Sequence, residues 1–361
     1  MSSTIAKPQN ASAAERGRQA VSPWRIPLAG WKEIAGRTWR QTWIDNVGLV
    51  AAGVAFYGFL ALVPLLGLIV MAYGLVAEPQ TVVSNMQALT DILPENVALF
   101  IGEQLLGAVR TANETKGLGI LVALAFAFYG GSNGAGAIIT ALNIAYQEKE
   151  KRSLTRFYLI ALLMTLLAVV FAVSALAATA AIAYLENLLP EASSFTLAVS
   201  KAAAYLALLL VAAGIAATLY RYAPSRENAR WEWITPGSLF TAITWVLLTL
   251  AFGYYVTSVA DYDATYGSLG AVIALLTWLY LSAYVFVIGA ELNSEIEHQT
   301  SQDSTTGTPQ PLGQRGAWAA DNVAANVGAE EQVKRANKDS PSIGDAGPPV
   351  PTDEPDPSRD Q

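Results

Sequence analysis

A small set of polar residues at the ends of long apolar segments could do chemistry in this sequence. Asp45 and Asn46 open the first apolar segment, and Glu291 and Asn293 close the last one. A carboxyl or amide group at such a position is costly in hydrocarbon unless it meets another polar group or water. If these side chains converge with Arg221, they form a polar vestibule on a substrate path. The alternative is that they are solvated helix ends at the level of the lipid headgroups.

A second set of small and polar residues lies inside the second apolar segment, in the run GGSNGAGAIITALN from 130 to 143. Gly130 and Gly134 are four residues apart, which is the spacing that lets two membrane helices pack closely. Asn133 and Asn143 lie in the same run, so the alternative is a discontinuous helix beside a substrate path, as transporters often use. Other expected hinges or close contacts are Pro64, Pro224, Pro236 and Gly267.

The sequence lacks the residues that several common kinds of catalytic or binding site require. The chain has no cysteine and one histidine, His298, so it offers no thiolate nucleophile and no evident cluster of metal ligands. It also lacks a phosphate-binding loop of the GxxxxGK[ST] type. The acidic sequence pI of about 4.9 argues against a nucleic-acid-binding surface. We therefore expect no catalytic residues, no metal, no cofactor and no nucleic-acid partner.

The composition determines which elements must position the polar residues. Hydrophobic residues make up 53% of the chain and charged residues 14%, which is too apolar for an ordinary soluble domain of this length. A helix needs roughly 20 apolar residues to cross a bilayer, and six uncharged runs meet or approach that length. They predict an all-α, polytopic bundle with spans at about 47–76, 118–146, 157–185, 200–221, 235–259 and 266–290.

The distribution of Lys and Arg predicts the orientation of these spans. About fourteen basic residues lie before the first span and in the second and fourth loops, against three in the first and third loops and none in the fifth. The basic side of a membrane protein faces the cytoplasm. Both termini are therefore expected to be cytoplasmic.

The regions around the spans divide the chain further. Residues 1–23 are predicted to be a disordered arm, residues 24–45 an interfacial amphipathic segment rich in Trp, Lys and Arg, and residues 46–297 the membrane domain. Helical periodicity in the external loop between spans one and two predicts two amphipathic helices there. Residues 298–361 are poor in large apolar side chains and are predicted to be a disordered acidic tail.

Several motifs in the apolar segments resemble one known family. The first is DNVGLVAAGVAFYGFLALVPLL from 45 to 66, and the others are ALNIAY from 141 to 146, RYAP from 221 to 224, PGSLF from 236 to 240, and YGSLGAVIALLTWLYLSAYVFVIGAELN from 266 to 293. In order and spacing they resemble the YihY/BrkB family over roughly residues 30 to 297. The resemblance implies an integral protein of the bacterial cytoplasmic membrane. Its older ribonuclease label would require a metal cluster that this sequence does not show.

Three functions from different classes remain open at this stage. The preferred one is transport or flipping of a lipid or another amphiphile, because no charged residue interrupts the spans while Asn, Ser, Thr and Tyr are scattered through them. The second is a non-catalytic scaffold or envelope-assembly factor, and the third, least supported, is an intramembrane enzyme. Expected partners are membrane lipids, together with either a second copy of the chain or an envelope protein.

Overall fold

The computed structural model describes residues 16–74, 118–167, 194–258 and 269–324. In these ranges every regular element is helical, and the single extended pairing is an antiparallel bridge between Ala229 and Thr305. This confirms the all-helical prediction for the part of the chain that is described. The predicted external helices between spans one and two, as well as Gly267, lie outside the described residues.

Seven helices of at least 14 residues and one short helix form the described structure. They are α1 (Leu28–Ile44), α2 (Val47–Gly74), α3 (Leu118–Ala145), α4 (Leu154–Leu167), α5 (Ser194–Tyr222), α6 (Trp231–Ser258), α7 (Gly270–His298) and the short α8 (Trp318–Asp321). A single 3-10 turn, Pro23–Arg25, precedes α1. Long uncharged runs form helices because a helix satisfies its own backbone hydrogen bonds where no water is available.

Two of these helices, α6 and α7, are long and apolar enough to cross a membrane by length and composition. The bent pair formed by α1 and the first part of α2, Val47–Leu62, counts as a third candidate. The described residues therefore contain two helices that could cross a membrane, or three if the bent pair is one span. The count of six spans and the orientation of the termini stay predictions.

The chain turns sharply between α1 and α2. The two helices are inclined by 65°, and Asn46 at the corner adopts a left-handed backbone conformation with φ of 50°, which Asn tolerates better than most residues. The carbonyl of Asn46 accepts hydrogen bonds from the amides of Leu49 and Val50 and so begins α2. The bend therefore lies ahead of the first span, and the expected hinge residue Pro64 lies within α2.

The second apolar segment is one continuous helix, α3, so the discontinuous-helix alternative does not describe it. Its glycines act in packing instead. A Cβ atom added at Gly134 would lie 3.2 Å from the Cβ of Ala61, and one added at Gly131 would meet the side chain of Thr165. Small residues thus bring α3 close to both α2 and α4. Of the predicted pair Gly130 and Gly134, the contact described here is the one at Gly134.

A second close contact joins α6 to α7. A Cβ added at Gly237 would overlap Asn293 and the Gly289 carbonyl, and one added at Gly289 would lie 2.7 Å from the Tyr220 hydroxyl. Pro236, one of the expected hinges, lies inside α6 immediately before this contact. The chain therefore uses glycine here to bring two helices to backbone contact.

The described core lies at one end of the bundle, which we call the inner end. It comprises the start of α2, the ends of α3 and α5, the start of α6 and the end of α7. Its fully buried side chains include Val47, Ile139, Leu142, Tyr146, Tyr220, Ile234 and Val287. The same end holds the basic loops that were predicted to be cytoplasmic.

Residues 299–323, which we call the strap, differ from the predicted disordered tail. Arg315 donates hydrogen bonds to the carbonyls of Ser301, Gln302, Gln310 and Ala320. Other hydrogen bonds join the strap to residues 16–20 of the predicted arm. Ser301 N donates to the Arg18 carbonyl, Thr300 Oγ1 to the Ala20 carbonyl and Gln299 Nε2 to the Arg16 carbonyl. The composition argument failed because the strap is ordered by polar contacts with the bundle and not by a core of its own.

Candidate functional site

Three glutamates occupy the last two turns of α7. Glu291, Glu295 and Glu297 expose 0%, 6% and 0% of their surface. Because a buried carboxylate is costly unless it is paired or hydrogen-bonded, the partner of each glutamate decides what it can do.

Glu297 is paired with an arginine through one of its two carboxyl oxygens. Its Oε2 atom lies 2.6 Å from Nη2 of Arg226 and accepts a hydrogen bond from Ser304 Oγ at 2.7 Å. The Arg226 guanidinium also stacks over the ring of Tyr146, 4.8 Å from its centroid. Burial would lower the pKa of Arg226, but the adjacent carboxylate outweighs this and raises it. The pair is therefore a structural contact that fixes Arg226 against the end of α7.

Glu295 is also paired. Arg37 of α1 donates from Nε to Oε2 at 2.6 Å and from Nη2 to the Glu295 carbonyl at 3.1 Å. His298 Nδ1 lies 3.3 Å from the same carboxyl oxygen. This ion pair fixes α1 against the end of α7.

Glu291 differs from both neighbours. Neither of its oxygens has a hydrogen-bond donor in the described part of the chain, and its nearest charged neighbour is the carboxyl group of Asp45. Asp45 Oδ2 accepts hydrogen bonds from Gln41 Nε2 at 2.8 Å and from Gln147 Nε2 at 2.7 Å. In the described part of the chain, the two acidic groups therefore meet without a cation between them.

Two further buried polar groups adjoin this acidic pair. The Oδ1 atom of Asn293 accepts the backbone amide of Gly237 at 2.8 Å, whereas its Nδ2 atom and the Tyr146 hydroxyl are buried and make no hydrogen bond of regular geometry with a described residue. Tyr146 lies close to Asn293 and Glu291. We call Asp45, Tyr146, Glu291 and Asn293 the inner cluster.

An open apolar groove lies between α2 and α7; Glu291 is on α7, and Asp45 lies at the corner just before α2. Its volume is about 320 Å³, and it is lined by Ala52, Ala55, Phe56, Leu276, Thr277 and Tyr280. Ala52 lies five residues after Val47, the first residue of α2, which is about 7.5 Å along the helix. Between the two, Gly48 lies beside Tyr280 and Tyr284. The groove and the inner cluster therefore share one helix interface.

The remaining residues predicted to form a vestibule lie elsewhere. Arg221 does not join the cluster, because its Nη1 donates to the Ala229 carbonyl at 2.6 Å and its guanidinium stacks 4.6 Å from the Trp231 ring. Asn133 is ten residues from Asn143, about 15 Å along α3. Asn46 forms the α1–α2 corner.

Asn143 instead belongs to a hydrogen-bonded clasp between two loops. Its Oδ1 accepts the Ser225 amide at 2.7 Å, next to the expected hinge Pro224, and its Nδ2 donates to Glu150 at 2.9 Å. Arg152 also binds Glu150 through Nε and Nη2. The hydrogen bonds from Arg152 lower the pKa of Glu150 to about 2. The clasp positions the loop that carries Gln147.

Sequence reasoning missed several of the residues that build this site. They are Arg37, Tyr146, Gln147, Arg226, Glu295 and Glu297. One signal was available, because Glu291, Glu295 and His298 recur at intervals of four and three and so share a helix face. The arginines gave no such signal, since the bias of basic residues toward the cytoplasmic side already accounted for them.

Metal chemistry has no site in the described residues, where no group of three or more His, Cys, Asp or Glu side chains could hold an ion. The histidine of the chain, His298, stacks on Trp318 with ring centroids 5.0 Å apart.

Comparisons with known proteins agree on one family. The chain matches the family described as virulence factor BrkB over residues 38–312. It is 31% identical over 188 residues to a ribonuclease-like protein, YfkH, of Bacillus subtilis, covering 51% of this chain and 68% of that protein. It is 29% identical over 291 residues to a UPF0761 membrane protein of Delftia acidovorans, covering 76% of this chain and 66% of the relative.

A third relative is a UPF0761 membrane protein of Pseudoalteromonas translucida, 24% identical over 72% of this chain and 84% of the relative. No solved structure matches the chain significantly. Since the family match extends over far more than half of the sequence, the chain belongs to the virulence factor BrkB family and is a membrane protein.

Proposed function

We propose that this protein moves a lipid or another amphiphile across the bacterial cytoplasmic membrane. The observation that carries the proposal is the apolar groove between α2 and α7, which is open at the bundle surface and lies at the same helix interface as the inner cluster. An amphiphile needs both environments, because its chain partitions into an apolar channel while its headgroup requires polar partners.

The groove suits an acyl or isoprenoid chain. Its walls are Ala, Phe and Leu side chains, and its polar atoms come from Thr277 and Tyr280. Thr277 Oγ1 already donates to the Ile273 carbonyl within α7, so the wall presents little polarity of its own. No nucleotide-binding loop is present in the sequence, and we infer that movement is downhill or coupled to a gradient.

The topology in this proposal has six spans with both termini in the cytoplasm. The excess of Lys and Arg in the loops at the inner end supports that orientation. The inner cluster then faces the cytoplasmic leaflet. A headgroup from that leaflet would reach the Tyr146 hydroxyl and Asn293 Nδ2, which are buried and make no hydrogen bond of regular geometry with a described residue.

A non-catalytic scaffold or envelope-assembly factor is the second candidate. The observation that favours it is the tight closure of the inner end, where Trp233, Ile34 and Ile296 are fully buried beneath α1 and the end of α7. A scaffold would use the outer surface of the bundle to bind a second copy or an envelope protein, and would leave the groove as a helix contact for that partner.

Ribonuclease activity is not part of our proposal, although one relative is named ribonuclease-like. Hydrolysis of RNA by a metal-dependent nuclease needs clustered ligands and a basic surface. The described acidic residues that are buried at the inner end are paired with arginines or with each other. We infer a protein without a catalytic centre, metal or cofactor.

The test is lipid movement in liposomes that contain the purified full-length protein and a fluorescent phospholipid or lipid-linked sugar. The variant Ala52→Trp fills the groove, and Leu247→Trp adds the same side chain at an exposed position of α6. We expect movement with wild type and Leu247→Trp, and at least a tenfold slower rate with Ala52→Trp. Rates equal to empty vesicles for all three, with several lipids and imposed gradients, would favour the scaffold.

A further inference from the structure

The end of α7 supplies an internal comparison between three buried glutamates. Arg37 binds Glu295 and Arg226 binds Glu297, each at 2.6 Å. Glu291 is equally buried, yet the described structure brings it an aspartate. A general lack of cations at this end of α7 does not explain the difference, because two arginines reach the same two turns of the helix.

The groups around the acidic pair do not supply the missing positive charge. Among the described residues, Asp45 accepts hydrogen bonds from the neutral amides of Gln41 and Gln147, and both amides bind the same oxygen, Oδ2. Glu295 lies one turn further along α7 and adds a third negative charge, although Arg37 and His298 engage it. The next neighbour is Tyr146, whose phenol is neutral. Beyond it lies Arg226, which is already paired with Glu297.

Two carboxylates in contact inside a protein repel each other strongly unless something positive lies between them. A single shared proton removes the repulsion and turns one carboxyl group into a hydrogen-bond donor for the other. We propose that Asp45 and Glu291 form a proton-binding site, in which one proton bridges the two carboxyl groups.

The position of the pair gives this proton a mechanical role. Asp45 lies at the 65° corner between α1 and α2, and Glu291 lies on α7. The bridging proton therefore ties the corner to α7 at the inner end of the groove. Its release leaves two negative charges facing each other and drives the corner away from α7, which opens the interface toward the inner end.

Infrared spectroscopy of the purified full-length protein tests the proposal without any cargo. A protonated carboxyl group has a C=O stretch separate from that of a carboxylate, so the shared proton is visible directly. We expect this band in wild type at neutral pH and its loss in Glu291→Gln. In Asp45→Asn the band should shift in frequency, because the carboxyl group that shares the proton is gone. Glu232→Gln, which changes a surface glutamate of α6 that is paired with Arg230, should leave the band unchanged.

A second measurement protects the test against unfolded variants. A proton that is bound only in the folded state makes stability fall as the pH rises. The melting temperature of wild type should therefore fall as the pH rises above neutrality. The melting temperature of Glu291→Gln should not change over that range and should be at least as high as that of wild type.

Two results would overturn the proposal. One is a spectrum of folded wild type without the protonated band at neutral pH. The other is stabilisation of wild type, but not of Glu291→Gln, by Na⁺ or K⁺ alone, because that would make the pair a metal-cation site. Since none of these readouts involves lipid movement, the proton site and the transport function can fail independently.

Discussion

Nη2 of Arg226 lies 2.6 Å from Oε2 of Glu297, and the two side chains expose 1% and 0% of their surface. The residues are 71 positions apart in the sequence, so their contact joins the loop between α5 and α6 to the end of α7. A buried pair of this kind contributes little compared with a well-packed apolar pair, but it is costly to break on one side.

The first prediction follows from that asymmetry. Arg226→Met leaves the Glu297 carboxylate buried without its cation and should lower the free energy of unfolding by about 3–5 kcal/mol. Denaturation in detergent micelles, followed by circular dichroism, measures this. Replacing both residues, Arg226→Met with Glu297→Leu, should recover much of the loss. Lys151→Met, at a side chain that is 66% exposed, is the control, and an equal loss there would contradict the argument.

The second prediction concerns the contact between α6 and α7. Alanine at Gly237 would overlap Asn293, and alanine at Gly289 would overlap Thr241, so each change should cost about 1–3 kcal/mol of stability. Gly214 and Gly253 are matched controls, because a Cβ there meets nothing within 4 Å. Alanine at these two positions should be neutral or should stabilise the helix by up to about 1 kcal/mol. Equal melting temperatures for all four variants would show that the close contact is absent.

The third prediction concerns the pH dependence of the clasp at Glu150. Its pKa is lowered from 4.5 to about 2 by hydrogen bonds from Arg152. A lowered pKa in the folded state gives stability that is fully present above the ordinary pKa and is lost as the pH falls toward about 2. Wild type should therefore be more stable than Glu150→Gln at neutral pH, and the difference should shrink with acidification below about pH 4.5. The measurement is a series of melting curves for both proteins, and a difference that grows on acidification would have the wrong sign.

The sequence predicted the helical class and the polar helix ends, but it did not predict their partners. Uncharged runs bounded by Asp45 and Glu291 are sufficient to predict helices, because length and hydropathy alone select them. Which of three basic residues reaches α7 depends on loop geometry, and composition carries no information about that. Arg221 was predicted to join the cluster, but it binds the Ala229 carbonyl instead. Arg226, five residues later, is the residue that reaches α7.

The order of the strap is another feature that the sequence alone could not predict. A segment of Ser, Thr, Gly and Pro cannot bury enough apolar surface to fold alone, and that argument remains correct for an isolated chain. Residues 299–323 are ordered because the bundle supplies carbonyls, amides and Glu297 as partners for their polar groups. Such order depends on a surface that exists only after the helices have packed.

The last prediction concerns the exposed face of α1. Trp39 and Trp43 expose 62% and 66% of their surface and stack edge to face, with ring centroids 5.9 Å apart, while Lys32 is exposed on the same face. Since α1 is inclined by 65° to the start of α2, it would lie nearly flat on a membrane that α2 crosses. Trp and basic residues favour anionic headgroups at that level.

The absence of native cysteine allows a clean test with single labelling sites. Gly36→Cys lies on the exposed face of α1, where an added Cβ meets nothing within 4 Å, and Thr308→Cys is exposed on the strap. With an environment-sensitive fluorophore, we expect the Gly36→Cys emission to shift to shorter wavelength when anionic phospholipid is added to neutral nanodiscs, while Thr308→Cys is unchanged. Charge reversal by Lys32→Glu should reduce the shift. Identical responses at both sites would mean that α1 does not lie at the headgroups, and its tryptophans would then be a surface for another protein.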